Sequence, residues 1–199
     1  MIAVVDYKAG NLTSVMKSLR AVGADPTSTD DPATVLRSDK IILPGVGHFA
    51  ATKFLEDRGL KAAIQERIAA GTPFLGICVG LQWLFAGSTE ALETPGLAAF
   101  PETCDRFAPG KKVPHVGWNS LSIRPDSRLF TGIGNNSFVY FTHSYRAPIA
   151  NATIAVTEYG EPFTAAVERG NIMGVQFHPE KSGATGLQVL SNFLEWKPC

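Results

Sequence analysis

Residues 2 to 5, Ile-Ala-Val-Val, form a short apolar run that stops at the polar cluster Asp6-Tyr7-Lys8-Ala9-Gly10-Asn11. A run of this length closed by turn residues predicts a buried strand. Asn11 offers a helix cap, and Leu12, Val15, Met16, Leu19 and Val22 then recur at three- and four-residue intervals before Gly23, so a helix follows. A second, shorter helix begins at Asp31-Pro32, with the proline at a first-turn position where a missing N–H costs nothing. Ile41-Ile42-Leu43 reads as another strand, helical patterning runs from Phe49 to Arg58 and from Leu60 to Ala70, and Pro73-Phe74-Leu75 opens a third strand. Strand, helix, strand, helix, strand predicts an α/β fold with a parallel sheet and right-handed crossovers.

Beyond residue 80 the helical pattern continues through Leu81-Gln82-Trp83-Leu84-Phe85 and then breaks. From Thr94 to Pro148 short strands and turns alternate, an irregular insertion of the kind that carries function at a sheet edge. Strands are expected again at Thr153 to Thr157, Phe163 to Val167 and Ile172 to Phe177, the last two joined as a hairpin at Gly170-Asn171. Gly186 to Trp196, striped by Leu187, Leu190 and Leu194, predicts a closing helix.

Composition narrows the function. The 199 residues fit one domain spanning 1–199, with no linker-like stretch to divide it. Eighteen basic and eighteen acidic residues balance, and no basic run suggests nucleic acid. Charged residues make up only 18%, which points to surface reserved for another protein. Three cysteines, Cys78, Cys104 and Cys199, show no CxxC spacing, so a reduced, cytoplasmic compartment is expected, and no apolar run is long enough to span a membrane. No His/Cys/Asp/Glu cluster has metal spacing, so neither a metal nor a cofactor is expected.

The chemistry gathers around Gly76-Ile77-Cys78-Val79-Gly80, where a buried strand hands over to a helix. A thiol at that corner, with glycine two residues before and two after, has the form of a nucleophile elbow. The corner strains its central residue, and flanking side chains would collide with strand or helix. Unpaired N–H groups at a helix start favour a thiolate, which makes Cys78 a candidate nucleophile; alone, it reads equally as a small core residue. Gln82 lies about one turn later on the same face. Pro44-Gly45-Val46-Gly47-His48 is a glycine-rich loop at a strand end, either a candidate oxyanion site or an ordinary strand-to-helix turn. His178 and Glu180 flank Pro179, which removes the helical option and biases His178 toward extended backbone. Glu180 is then placed to hold one imidazole nitrogen while the other faces outward, the base and orienter of a triad. His48, His115 and His143 have no acid two residues on and are read as structural or substrate-positioning.

Gly-Ile-Cys-Val-Gly-Leu-Gln, His-Pro-Glu and the Pro-Gly-Val-Gly loop, in that relation along the chain, resemble class I glutamine amidotransferases. Val113 to Asn119, Tyr140 to Tyr145 and His178 to Ser182 resemble more narrowly the glutaminase subunits of imidazole glycerol phosphate synthases. Lys8 departs from the family, which commonly has glycine after Asp-Tyr. The resemblance implies an open, mostly parallel sheet with helices on both faces and extra antiparallel strands. It implies L-glutamine as substrate and Cys78, His178 and Glu180 as the triad. Val79, Val46 and Gly47 would form the oxyanion hole, and Gln82, His143, Ser144 and Tyr145 would hold the glutamine. It also implies a heterodimer with a (β/α)8 barrel cyclase that receives the ammonia, docked on a face carrying Asn11, Trp118, Asn119, Tyr140 and Lys181. Read from the residues alone, a subunit serving vitamin B6, anthranilate or purine synthesis, a standalone thiol hydrolase, and a non-catalytic binding protein remain alternatives.

Overall fold

The apolar runs become the middle of a sheet. The computed structural model of the chain describes residues 1–9 and 12–197, so Asn11 and Cys199 lie outside the described residues. The strands are β1 (Ile2–Val5), β2 (Pro26–Thr29), β3 (Lys40–Gly45), β4 (Phe74–Cys78), β5 (Gly87–Ser88), β6 (Thr103–Arg106), β7 (His115–Ser120), β8 (Ser122–Ile123), β9 (Phe138–His143), β10 (Tyr145–Arg146), β11 (Thr153–Glu158), β12 (Pro162–Arg169) and β13 (Ile172–Val175). Eight of them form the main sheet in the order β2-β1-β3-β4-β13-β12-β11-β8. The β2-to-β13 half is parallel and the remainder antiparallel. A ribbon of β7 and β9 and a small sheet of β10, β6 and β5 stand apart from it.

The helices are α1 (Leu12–Ala21), α2 (Pro32–Leu36), α3 (Lys53–Asp57), α4 (Leu60–Ala69), α5 (Val79–Gln82) and α6 (Gly183–Glu195). α1 packs against α6 and α2 against α4. Every residue of β4 and β13 is buried, as a parallel strand covered on both faces requires. The Gly170-Asn171 hairpin forms, with Arg169 paired to Ile172. Asp31 caps α2 by accepting from the Ala33 and Thr34 N–H groups at 3.1 and 3.0 Å. No helix among the described residues is long and apolar enough to cross a membrane.

Three local differences from the sequence reading have physical causes. β2, Pro-Thr-Ser-Thr, carries no apolar alternation to read; it is an edge strand made by backbone pairing to β1, with proline tolerated at its first position. α5 stops at Gln82 instead of running to Phe85. The carbonyls of Trp83, Leu84 and Phe85 accept the N–H groups of Leu97, Phe100 and Ala98, so a returning loop takes the bonds a longer helix would use. Lys8 sits at φ 64°, the left-handed region where glycine is at ease. Its ammonium pairs with Asp6 and Asp30, each at 3.1 Å, at the exposed surface.

Candidate active site

β3 and β4 end side by side, with Gly45 beside Cys78, and the reactive groups collect along that shared edge. The chain leaves β4 through Cys78 at φ 54° and ψ −106°, a conformation that costs a non-glycine residue roughly 1–3 kcal/mol. Close packing holds it there. A Cβ on Gly76 would lie 2.3 Å from the Gly80 carbonyl oxygen, and one on Gly80 would lie 1.9 Å from the Leu43 carbonyl oxygen. Because α5 has only four residues, its aligned peptide dipoles are few, and other groups support the sulfur. Gln176 Nε2 donates to Cys78 Sγ at 3.5 Å, and the thiol reaches the Thr142 carbonyl oxygen at 4.0 Å.

The chain continuing from β13, which runs parallel to β4, delivers His178 beside that sulfur. Its backbone is pinned: the His178 N–H donates to the Tyr140 carbonyl at 2.9 Å, and Ser182 Oγ donates to the His178 carbonyl at 2.6 Å while accepting from the Tyr140 N–H at 3.0 Å. The expected extended backbone at His178 is present, but Pro179–Lys181 forms a single 3-10 turn, because proline at a first-turn position opposes no helical bond. That turn brings Glu180 Oε1 to 2.8 Å from His178 Nδ1, with the two side chains 2% and 1% exposed. Burial on its own would lower the imidazole pKa. Cys78, by its negative charge and proximity, and Glu180, by its hydrogen bond and charge, outweigh that and raise it to about 10. His178 Nε2 is buried without a hydrogen bond of ordinary geometry, so its interaction with Cys78 is one of nearness and charge.

A cleft of about 160 Å³ opens over the sulfur, lined by Gly47, Val79, Gln82, Glu90 and the stretch from Thr142 to Tyr145. Val79, first residue of α5, has an N–H with no intrahelical acceptor, and Gly47 stands at φ 105° on the cleft wall with Val46 half-buried before it. Glu90 is the acidic residue of the lining, and its Oε2 accepts from the Phe49 N–H at 2.8 Å. Nothing around Glu90 in the sequence marks it. Gln176, just past the end of β13, was also missed, although a carboxamide in the apolar run Ile172 to Phe177 was a signal. Gln82 lines the cleft as expected, yet its Nε2 is committed within the protein, to the Tyr145 carbonyl at 2.8 Å and to Gln176 Oε1 at 3.1 Å.

The sequence profile of the family described as "Glutamine amidotransferase class-I" matches residues 3–196. The chain belongs to the class I glutamine amidotransferases. This amidotransferase is 49% identical over 199 residues to the protein named imidazole glycerol phosphate synthase subunit HisH of Methanosarcina acetivorans, covering 98% of each chain. It is 46% identical over 196 residues to the protein of the same name of Methanothermobacter thermautotrophicus, again covering 98% of each. A solved structure described as a glutamine amidotransferase shares the fold, with a TM-score of 0.78 at 19% identity over 98% of this chain and 97% of that one.

Elsewhere on the amidotransferase, the β7–β9 ribbon has two unlike faces. Val116, Trp118 and Phe138 are exposed on one, Trp118 at 55%, with Tyr140 edge-on to Trp118 and Lys181 Nζ 5.7 Å from the Tyr140 ring. Asn119, expected beside Trp118 on a docking face, turns to the opposite face, because neighbours along a strand point opposite ways. There it meets His115 and, beyond it, His143, both buried. Burial lowers the His115 pKa to about 4. It lowers His143 to about 3, helped by the neighbouring His115 and His178 and opposed by the Tyr145 carbonyl. Among the described residues, no three His, Cys, Asp or Glu side chains converge as a metal site.

Proposed function

We infer that this chain is the glutaminase subunit of an imidazole glycerol phosphate synthase, releasing ammonia from L-glutamine for a cyclase partner in histidine biosynthesis. Identities of 49% and 46% over nearly the whole chain to subunits of that name support the pathway. The observation that carries the chemistry is the buried His178–Glu180 pair at 2.8 Å, set against a sulfur at a strained corner that opens on a small cleft.

In this reading the Cys78 thiolate attacks the side-chain carboxamide carbon of glutamine. The tetrahedral oxyanion takes hydrogen bonds from the Val79 N–H and from the backbone at Val46 and Gly47. His178, holding its proton well above neutral pH, gives it to the departing nitrogen, and ammonia leaves. The neutral imidazole then removes a proton from water, the resulting hydroxide attacks the thioester carbonyl, and glutamate leaves as the sulfur departs as a thiolate. Glu180 keeps the ring oriented through both halves. Glu90 faces the α-ammonium of the substrate, while Ser144 and Tyr145 line its path.

The partner is a (β/α)8 barrel cyclase in a heterodimer, seated on the apolar ribbon face of Trp118 and Tyr140 beside Lys181. Glutamate release, measured with and without the cyclase, tests the whole reading. Wild type with cyclase is expected to turn over, and Cys78→Ala to lose at least about 1,000-fold. No release by the wild-type complex overturns the assignment. Trp118→Ala is expected to weaken cyclase binding by about 2 kcal/mol in calorimetry, as loss of an aromatic anchor does.

A further inference from the structure

The hydrogen bonds behind Cys78 form two donor runs that meet at the Tyr145 carbonyl, one coming from Asn119 through two histidines and one from Gln82, which also reaches on to Gln176. At the far end, Asn119 is oriented by the backbone: its Oδ1 accepts from the Ser120 N–H at 2.9 Å, and its Nδ2 donates to the Glu158 carbonyl at 2.9 Å. Nδ2 also lies 3.4 Å from His115 Nε2, which must therefore be the accepting nitrogen. In a neutral ring the proton then sits on His115 Nδ1, 3.1 Å from His143 Nε2, which accepts in turn. That leaves the His143 proton on Nδ1, 2.9 Å from the Tyr145 carbonyl oxygen.

Read from the near end, the same answer returns independently. The Tyr145 carbonyl can only accept, so His143 Nδ1 must carry a proton. The same oxygen takes a second bond from Gln82 Nε2, whose other hydrogen goes to Gln176 Oε1. With its oxygen so engaged, Gln176 has no choice but to present its amide N–H groups to Cys78 Sγ, 3.5 Å away. Both ends demand one tautomer for each histidine, and a proton added to either ring would set two N–H groups head to head.

We propose that Gln176 is a positioning residue for the Cys78 sulfur, aimed by Gln82, whose amide is set by the Tyr145 carbonyl that the Asn119, His115 and His143 run holds from its other side. This rests on the reading of Cys78 as the nucleophile. Gln176 is fully buried and is not among the residues lining the cleft over the sulfur, so it acts on the sulfur and not on the substrate. Its removal leaves the thiolate without its amide donor and free to rotate. The chain also ties the inner face of the β7–β9 ribbon to the nucleophile, since Asn119 and His115 belong to β7 and His143 to β9.

The test pairs Gln176→Leu with His143→Phe, singly and together, in the full chain. The rate of Cys78 alkylation by iodoacetamide at fixed pH is read without partner, and kcat and KM for glutamine are read in the complex with the cyclase. Gln176→Leu is expected to slow alkylation about tenfold and lower kcat about tenfold with KM within twofold, the loss of one hydrogen bond to a charged group. His143→Phe is expected to slow alkylation in wild type but to add nothing in the Gln176→Leu background. Alkylation and kcat within twofold of wild type in a folded Gln176→Leu overturn the proposal, and so do additive effects of the two substitutions. Should Gln176→Leu fail to fold, Gln176→Met, unbranched and of similar length, takes its place. Failure of wild-type turnover overturns the proposed function instead, and the alkylation rates still decide the role of Gln176.

Discussion

Two opposing influences act on His178. Burial disfavours its charged form, while Cys78 and Glu180 favour it strongly enough to raise the pKa to about 10. An imidazole in this state is protonated throughout the neutral range, ready to act as the acid that releases ammonia. The single-turnover acylation rate is therefore expected to be level from about pH 7 to 9 and to fall as pH rises through about 10. Glu180→Gln removes a buried partner and the ring's orienter together, so kcat is expected to fall by about 10²–10⁴, measured by initial rates with the cyclase present. Glu90→Gln is expected to behave differently, raising KM about tenfold at nearly unchanged kcat, because the contact proposed for it with the substrate's α-ammonium would be the same before and during reaction. Cys78, His178 and Glu180 were legible as triad candidates because each carries a local constraint written in its neighbours: glycines around Cys78, a proline between His178 and Glu180. Glu90 has no such neighbours, and Gln176 stands out only as a carboxamide in an apolar run, so the folded chain is what brings both to the site.

Among the elements, the elbow is the one whose sequence and geometry correspond residue by residue. The Gly80 carbonyl fills the space that a Cβ on Gly76 would need, and the Leu43 carbonyl fills the space over Gly80. Gly80→Ala must push a strand aside, and it is expected to cost about 3 kcal/mol or more in urea unfolding, with loss of glutaminase activity. β2 shows the opposite case, since its Pro-Thr-Ser-Thr has no pattern and becomes a strand only because β1 offers it an edge. The end of α5 was hidden for a related reason: the competing bonds come from Leu97 to Phe100, well beyond any local window. The inward turn of Asn119 was readable in principle, because a strand that exposes Trp118 must turn its next residue the other way.

For the molecule as a whole, the buried histidine pair sets the response to acid. His115 and His143 have folded pKa values of about 4 and about 3, against the ordinary 6.5 of an unfolded chain. Below about pH 6.5 the unfolded chain binds protons that the folded one refuses, so stability falls as pH drops from there toward 4. The slope approaches about 1.4 kcal/mol per pH unit for each histidine below about pH 6, where His178 is protonated in both states, and thermal melts between pH 6 and 5 are expected to show it. A His115→Phe variant, if folded, is expected to flatten that dependence by about half. The narrowness of the cleft has a different reach. A space of about 160 Å³ lined by Glu90 and Ser144 is sized for one small molecule such as a free amino acid. Glutaminyl side chains on folded proteins are therefore expected to escape the sulfur, and ammonia release from a glutamine-rich protein incubated with the complex would show otherwise.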